Sequence, residues 1–133
     1  MFDRRNARYA LNCQCHVSSK RFSNSRFIEL KDGIFIVDVE LCALQAATYL
    51  PFRELVEYYF ELCGAYSLGT GSSTSYNERF ALTSTERLKQ FFNSITRCDG
   101  LALARKAIQC VRDGCRSPVE TAFVMMLTLP KSE

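Results

Sequence analysis

Histidine and long hydrophobic runs are scarce in this 133-residue sequence. His16 is the only histidine, and a Cys/His dyad built on it would need a third, orienting group that no local pattern supplies. The longest apolar run, Ala122 to Leu127, is too short to cross a bilayer. The N-terminal stretch MFDRRNARYALNCQC has neither the apolar segment nor the small-residue cleavage site of a secretory signal. We therefore expect a cytoplasmic protein that does not associate with membranes.

Common catalytic and cofactor motifs are also missing from the sequence. The stretch YSLGTGSSTSYNERFA is not closed by Gly-Lys-Ser/Thr, so it is not a Walker loop. No Gly-x-Ser-x-Gly elbow, His-Glu-x-x-His helix or dinucleotide fingerprint occurs. These absences predict a protein that is not an enzyme and that has no cofactor and no metal site.

The seven cysteines do not predict a disulfide framework. Their number is odd, no export signal accompanies them, and the reducing cytosol keeps such residues as thiols. Cys42, Cys63 and Cys110 fall among apolar helix positions, where cysteine behaves as a small hydrophobe. The Cys-x-Cys-His cluster at 13–16 is interpreted as buried strand thiols, as part of a zinc site or as reactive thiols. Zinc ligands are usually about two to four residues apart and come with a second pair, which favours the first interpretation.

Positive charge is concentrated near the N-terminus. The chain has a net charge of +3, and residues 1–31 carry seven basic against two acidic side chains. Such an arm is either a solvated terminus or a phosphate-binding segment. Two further arginines, seven residues apart on a predicted helix, are expected to share one exposed side. The candidate nucleic-acid contacts are Arg4, Arg5, Arg8, Arg105 and Arg112.

The pattern predicts a single α+β domain over residues 1–133, with a β-rich part at 1–37 and a helical part at 38–130. Residues 10–17 alternate apolar and polar side chains as a half-buried strand does. RFIEL and GIFIVD are short strands around the turn KDG. We expect a small N-terminal antiparallel sheet followed by about five packed helices.

Each predicted helix has an apolar face and a start or stop signal. Asp38 is the expected N-cap of the first helix, and Thr83 with Glu86 forms an expected capping box. Ser117 and Glu120 make the same arrangement at the last helix, with a proline at its first position. The expected buried positions are Val39, Cys42, Ala43, Ala46, Leu55, Val56, Tyr59, Leu62, Cys63, Leu88, Phe91, Phe92, Ile95, Leu101, Ala104, Ile108 and Val111.

Two segments in the middle of the chain form the candidate partner-binding surface. An acidic stripe lies opposite the apolar face of helix 52–63, and it is interpreted as a solvated face or as a docking surface for a basic partner. The Gly/Ser/Thr-rich segment 66–82 is predicted as the main long loop, either an ordinary surface loop or a recognition loop. The candidate partner-binding residues are Glu54, Glu57, Glu61, Tyr66 and Tyr76.

Several segments resemble the AbiEi-type antitoxins of type IV toxin–antitoxin systems. GIFIVDVELCALQAA is similar to the strand-then-helix element of that family. FRELVEYYFELCGAYSL, LTSTERLKQFF and GLALARKAIQCVRDGCRSPVETAFVMMLTLP are similar to the elements that follow in relatives with a restriction-endonuclease-like domain. In those relatives SPVET corresponds to the entry helix of a PD-(D/E)XK nuclease fold. The resemblance covers about residues 10–130.

The resemblance implies a module of prokaryotic defence or toxin–antitoxin origin. The chain is similar to the middle of such proteins, without their winged helix and without most of the nuclease core, so only Glu120 matches a position that could be catalytic. We therefore expect a non-catalytic interaction module whose partner is a toxin or a host defence complex. The alternatives are a phage or mobile-element inhibitor of a nucleoprotein defence complex, resembling anti-CRISPR proteins, and a DNA-binding or nuclease fragment.

Overall fold

The structure is a computed structural model that describes residues 20–69 and 76–129. Within these residues the chain forms two antiparallel hairpins and five α-helices. Their bounds are β1 Phe27–Lys31, β2 Ile34–Val37, α1 Val39–Ala46, α2 Phe52–Cys63, β3 Tyr66–Leu68, β4 Tyr76–Glu78, α3 Thr85–Ser94, α4 Leu101–Ile108 and α5 Pro118–Thr128. The predicted α+β class, a small antiparallel sheet near the N-terminus followed by helices, is confirmed. The predicted strand at 10–17 lies outside the described residues.

β1 and β2 pair around the turn that the sequence predicts. Asp32 and Gly33 have positive φ angles of 53° and 77°, which suit a type I′ hairpin turn. Ile28 lies opposite Ile36 in the ladder. All of β1 and most of β2 are exposed, so this hairpin presents apolar side chains that no described residue covers.

α1 is buried on more sides than the single apolar stripe predicted for it. Asp38 is its N-cap, as predicted, because Asp38 Oδ1 accepts a hydrogen bond from Leu41 N at 2.9 Å. Leu41 and Leu44 are almost completely buried, whereas the predicted Val39 and Cys42 are half-buried. The difference arises because α1 contacts α2, α3 and α4, so burial does not follow a single apolar stripe.

The core lies between the first four helices. Every residue predicted to be buried on α2, α3 and α4 is buried. Tyr59 is completely buried, and its hydroxyl donates a hydrogen bond to Ala43 O at 2.8 Å, which satisfies its polar atom. Its ring also packs against Phe92, with centroids 5.9 Å apart. α2 is thereby fixed to both α1 and α3.

α3 begins one residue later than the predicted capping box. Ser84 is its N-cap, with Ser84 Oγ accepting from Arg87 N at 3.3 Å. Thr83 is buried, and its hydroxyl donates to Glu40 Oε1 at 2.7 Å. Glu86 accepts a hydrogen bond within the helix instead of reaching back. The capping-box prediction is wrong because the Thr83 hydroxyl donates to the buried carboxylate of Glu40 and does not cap the helix.

α4 begins where the chain passes very close to the end of α1. Its N-cap, Gly100, has a φ of 77°. A Cβ at this position would lie 2.8 Å from Ala47 C and 2.9 Å from Ala47 O. Only glycine combines this backbone conformation with this approach, so the packing of α4 on α1 depends on it.

The segment 66–82, predicted as a loop, contains the second hairpin. Tyr66 lies opposite Glu78, and Leu68 lies opposite Tyr76. The loop prediction is wrong for 66–68 and 76–78, because the Gly/Ser/Thr composition that suggested a loop belongs to the residues between the two strands. The two strands are only three residues each; β3 contacts α2, and β4 pairs with β3.

α5 packs against α2 and begins after the predicted N-cap, Ser117. Its buried residues are Thr121 and Met125. Its exposed apolar residues are Val119, Phe123, Met126 and Leu127. Although α5 is strongly apolar, neither it nor any other helix in the described part of the chain is long enough and apolar enough to cross a membrane.

Candidate functional site

Three of the predicted partner-binding residues, Glu61, Tyr66 and Tyr76, lie where α2 meets the hairpin of β3 and β4. Glu61 Oε1 accepts a hydrogen bond from Leu68 N at 3.0 Å, and Arg79 Nη2 donates to Glu61 O at 2.7 Å. These bonds hold the hairpin against the last turn of α2. Glu57 and Glu54 lie one and two turns earlier on the same side of the helix. Glu61 is therefore an anchor for the hairpin, whereas Glu54 and Glu57 project from it.

Tyr66 is buried and is not part of the accessible surface. Only 2% of the residue is exposed, and its hydroxyl shares a hydrogen bond with Thr121 Oγ1 at 2.9 Å. Burial raises the pKa of Tyr66, so this hydroxyl stays neutral. The ring meets that of Tyr76 edge-on, with centroids 6.3 Å apart, and Tyr76 is 43% exposed. The prediction of Tyr66 as a partner contact is wrong in this fold, while Tyr76 is accessible.

Three exposed carboxylates on α2 and β4 form no ion pair with another described residue. Glu54, Glu57 and Glu78 are exposed, and none forms an ion pair or side-chain hydrogen bond with another described residue. The guanidinium of Arg79, beside Glu78, donates to two backbone carbonyl oxygens instead. Four glutamates, at 54, 57, 61 and 78, outnumber the two arginines next to them in sequence, Arg53 and Arg79, and this balance favours a basic partner.

Exposed apolar side chains accompany these carboxylates. Phe80, two residues after β4, is 95% exposed. Leu68 and Leu82 are each about half exposed. Aromatic anchors beside charged residues are the composition that protein interfaces favour. We call the following group the acidic hairpin surface: Glu54, Glu57, Tyr76, Glu78 and Phe80.

Glu120 belongs to a helix cap. Ser117 Oγ accepts a hydrogen bond from Glu120 N at 3.2 Å, as predicted. Glu120 Oε2 accepts from Arg116 N at 2.8 Å, one residue before the amide that a regular capping box uses. The carboxylate therefore binds the backbone at the start of its own helix.

The five predicted nucleic-acid residues are in different situations. Three lie outside the described residues: Arg4, Arg5 and Arg8. Arg105 is half-buried, and its Nη2 donates to the carbonyl oxygens of Phe92 and Ile95, at 2.8 Å each, where α3 ends. Arg112 is exposed and donates to nearby backbone carbonyl oxygens. Arg105 and Arg112 therefore do not share one exposed side, because the helix C-terminus binds one of the two guanidiniums.

A buried carboxylate connects α1, α3 and the turn before β1. Glu40 is 4% exposed and accepts a hydrogen bond from Thr83. Arg87 Nη2 lies 3.2 Å from Glu40 Oε1, and Arg26 Nη1 lies 3.7 Å from Glu40 Oε2 and 2.6 Å from Asp38 Oδ2. The cluster lines an open pocket of about 270 Å³. Since each charge meets an opposite charge, the cluster holds the helices together, and its removal would leave an unpaired buried charge.

The five described cysteines are free thiols. Burial, together with the carboxylate of Asp113, raises the pKa of the Cys63 thiol to about 12. Burial also raises the pKa of Cys98 and Cys115, and a protonated thiol is a poor nucleophile and metal ligand. The predicted Cys-x-Cys-His cluster at 13–16 lies outside the described residues. Within the ranges 20–69 and 76–129, no group of three or more His, Cys, Asp or Glu side chains is placed to hold a metal ion.

Two members of the acidic hairpin surface, Glu78 and Phe80, were missed by sequence reasoning. The alternation of Tyr76, Asn77 and Glu78 is a strand signal, but three residues are too few to stand out from a polar segment. Nothing in the sequence marks Phe80 as exposed, because a phenylalanine is ordinarily predicted to be buried.

Comparisons with known proteins give no relative for this fold and surface. No family model, curated protein or solved structure matches the chain. The resemblance to AbiEi-type antitoxins therefore stays a prediction that rests on the segments quoted above.

Proposed function

We propose that this protein is a non-catalytic interaction module that docks on a protein partner through the acidic hairpin surface. The observation that carries the proposal is that Glu54 and Glu57 on α2 and Glu78 on β4 are exposed and form no ion pair with another described residue, while the rings of Tyr76 and Phe80 are exposed as well. Aromatic side chains supply most of the binding energy at protein interfaces, and the surrounding charge selects the partner and speeds association.

A fixed scaffold supports this use of the surface. α2 buries six of its twelve residues, and the hairpin is attached to its last turn by the two hydrogen bonds to Glu61. A surface that is already ordered loses less conformational entropy when a partner binds. The carboxylates therefore lie on an element whose position does not depend on the partner.

The partner class follows from the resemblance to AbiEi-type antitoxins. It suggests a toxin or a host defence complex with a basic, partly apolar docking site. The capping role of Glu120 supports the non-catalytic part of the proposal, because its carboxylate is engaged with the backbone amide of Arg116.

Charge reversal tests the proposal. The variant Glu54→Lys/Glu57→Lys is immobilised beside the wild type, and partners captured from a lysate of the source cells are quantified by mass spectrometry. We expect at least about tenfold less of the partner on the variant, because like charges then meet across the interface. Glu29→Lys on β1 is the matched control, since Glu29 is also exposed and the change in charge per site is the same. Equal capture by all three proteins would refute the proposal.

A further inference from the structure

An open pocket of about 270 Å³ lies between α1, α3 and the turn before β1. Its volume is just below the range of about 300–1,000 Å³ that drug-sized ligands occupy, so it suits a smaller molecule. The lining residues are Arg26, Glu40, Arg87, Gln90, Phe91 and Ser94. Five of these side chains are polar, and three of the five are charged. The pocket is therefore lined for a polar ligand.

One oxygen of the Glu40 carboxylate receives no hydrogen bond from the described residues. Glu40 is only 4% exposed, and its Oε1 accepts from the Thr83 hydroxyl at 2.7 Å. Arg26 Nη1 lies 3.7 Å from Glu40 Oε2, which is too far for a hydrogen bond. No other described residue donates to this oxygen. A carboxylate that is more than nine-tenths buried ordinarily has its oxygens satisfied, so Glu40 Oε2 needs a donor that the described residues do not supply.

Two guanidiniums bring unused donors to the same pocket. Arg87 approaches Glu40 Oε1 through Nη2 at 3.2 Å, and Arg26 donates to Asp38 Oδ2 through Nη1 at 2.6 Å. The other nitrogens of both guanidiniums have no acceptor among the described residues. Arg26 also lies over the ring of Phe91, 4.4 Å from its centroid, which holds this guanidinium in place. The pocket therefore offers one free carboxylate oxygen and several free donors.

Charge identifies the ligand. The two arginines balance the carboxylates of Asp38 and Glu40, so the cluster is neutral overall and carries both signs. A simple anion would meet the Glu40 carboxylate, and a simple cation would meet two guanidiniums. An α-amino acid carries an ammonium and a carboxylate on one carbon atom. Because Arg87 Nη2 and Glu40 Oε1 are 3.2 Å apart, each charged group of such a ligand can face the opposite charge.

We propose that this pocket binds the ammonium and carboxylate groups of a free α-amino acid. The ammonium donates to Glu40 Oε2, and the carboxylate accepts from the free N–H groups of Arg87 and Arg26, whose planar guanidiniums suit a carboxylate. The site shares no residue with the acidic hairpin surface, so the inference does not depend on the proposed function. Because the pocket exists only in the folded chain, binding stabilises the folded state.

Titration of the isotope-labelled chain with L-alanine, L-valine and L-glutamine, followed by NMR, tests the inference. We expect at least one of them to bind with a Kd of about 1 mM or tighter and to shift the amide signals of the lining residues. The best ligand is then compared with its two halves, the amine without the carboxylate and the acid without the ammonium, at equal ionic strength. Each half should bind at least about tenfold more weakly, because it leaves one charge of the pocket without a partner.

A pair of protein variants tests whether the ligand lies in the pocket. Arg87→Lys keeps the positive charge and removes the planar set of donors, so it should bind the best ligand at least about tenfold more weakly than the wild type. Arg97→Lys is the matched control, since Arg97 is exposed and does not line the pocket, and it should bind as the wild type does. Circular dichroism of both variants checks that they fold, and the comparison of the ligand with its halves tests the wild-type chain in any case.

Three results would overturn the inference. If none of the three amino acids binds at up to about 50 mM, water alone satisfies Glu40 Oε2. If one half binds as tightly as the whole amino acid, the pocket recognises a single charge. If Arg87→Lys and Arg97→Lys bind equally well, the ligand lies outside the pocket. None of these results changes the capture of a partner by Glu54→Lys/Glu57→Lys, so the inference and the proposed function are tested independently.

Discussion

Gly100 shows at the level of one residue how closely α1 and α4 pack. Its φ of 77° is a conformation that other residues adopt only with strain, and the space that a Cβ needs is taken by the backbone of Ala47. Gly114 has a similar φ of 85°, but a Cβ there would meet nothing within 4 Å. The two glycines therefore separate the cost of the backbone conformation from the cost of the contact.

Gly100→Ala should lower the free energy of unfolding by more than Gly114→Ala does. We expect about 1–2 kcal/mol for Gly114→Ala from the left-handed conformation alone. Gly100→Ala should lose this conformational energy and, in addition, the energy needed to displace α4 from α1. The added Cβ would clash with backbone atoms of Ala47, which cannot rotate away. Urea unfolding followed by circular dichroism measures both. Equal losses would show that the approach of Gly100 to Ala47 is not a tight one.

Cys63 couples the stability of the protein to pH. Burial and the Asp113 carboxylate raise the pKa of its thiol from an ordinary value of 9.0 to about 12 in the folded state. Above about pH 9 the unfolded chain therefore loses this proton while the folded chain keeps it. The burial that raises the pKa of Tyr59 acts in the same direction at higher pH.

The free energy of unfolding should therefore fall as the pH rises from about 9 towards 12. Below about pH 9 the thiol is protonated in both states, and its contribution is constant. Urea unfolding of the wild type and of Cys63→Ala at about pH 8 and about pH 10 measures the effect. The wild type should lose more stability between the two pH values than the variant does. Parallel losses would mean that Cys63 is not the residue responsible.

At the scale of a single element, α5 depends on the cap formed by Ser117 and Glu120. The Ser117 hydroxyl and the Glu120 carboxylate each accept one backbone N–H at the helix start. Along the helix only Thr121 and Met125 are buried, and Val124 is partly buried against the core. The cap is therefore a large part of what defines where α5 begins.

Ser117→Ala should lower the free energy of unfolding by about 1 kcal/mol. Ser117→Asp is the matched control and should stay close to the wild type, because aspartate accepts the same hydrogen bond. Thermal unfolding compares the three proteins. If Ser117→Ala unfolds at the wild-type temperature, the start of α5 is fixed by packing rather than by the cap.

The elements differ in how far the sequence predicts them. The faces of α2, α3 and α4 follow from helical spacing, because each has one buried and one solvated side. The N-cap of α3 at Ser84 instead of Thr83 and the burial pattern of α1 could not be predicted, since they depend on the hydrogen bond from Thr83 to Glu40 and on neighbouring helices that are distant in sequence. The burial of Tyr66 and the position of the hairpin of β3 and β4 could not be predicted either. They depend on contacts with Thr121 and with the carboxylate of Glu61.

At the scale of the whole molecule, exposed apolar side chains lie on more than one element. β1 and β2, α5, and the region around Phe80 each carry several of them. In the region around Phe80 they occur with the exposed carboxylates of Glu54, Glu57 and Glu78, which form no ion pair with another described residue. This combination gives the acidic hairpin surface a defined preference for a basic partner, which an apolar face alone does not have.

Hydrogen–deuterium exchange of the chain, alone and bound to the captured partner, tests most directly where the partner docks. Slower exchange is expected at residues 54–61 and 76–82 in the complex. Unchanged exchange is expected at 27–37 and 118–128. Protection of β1 and β2 or of α5, with none at 54–61 and 76–82, would contradict docking through the acidic hairpin surface.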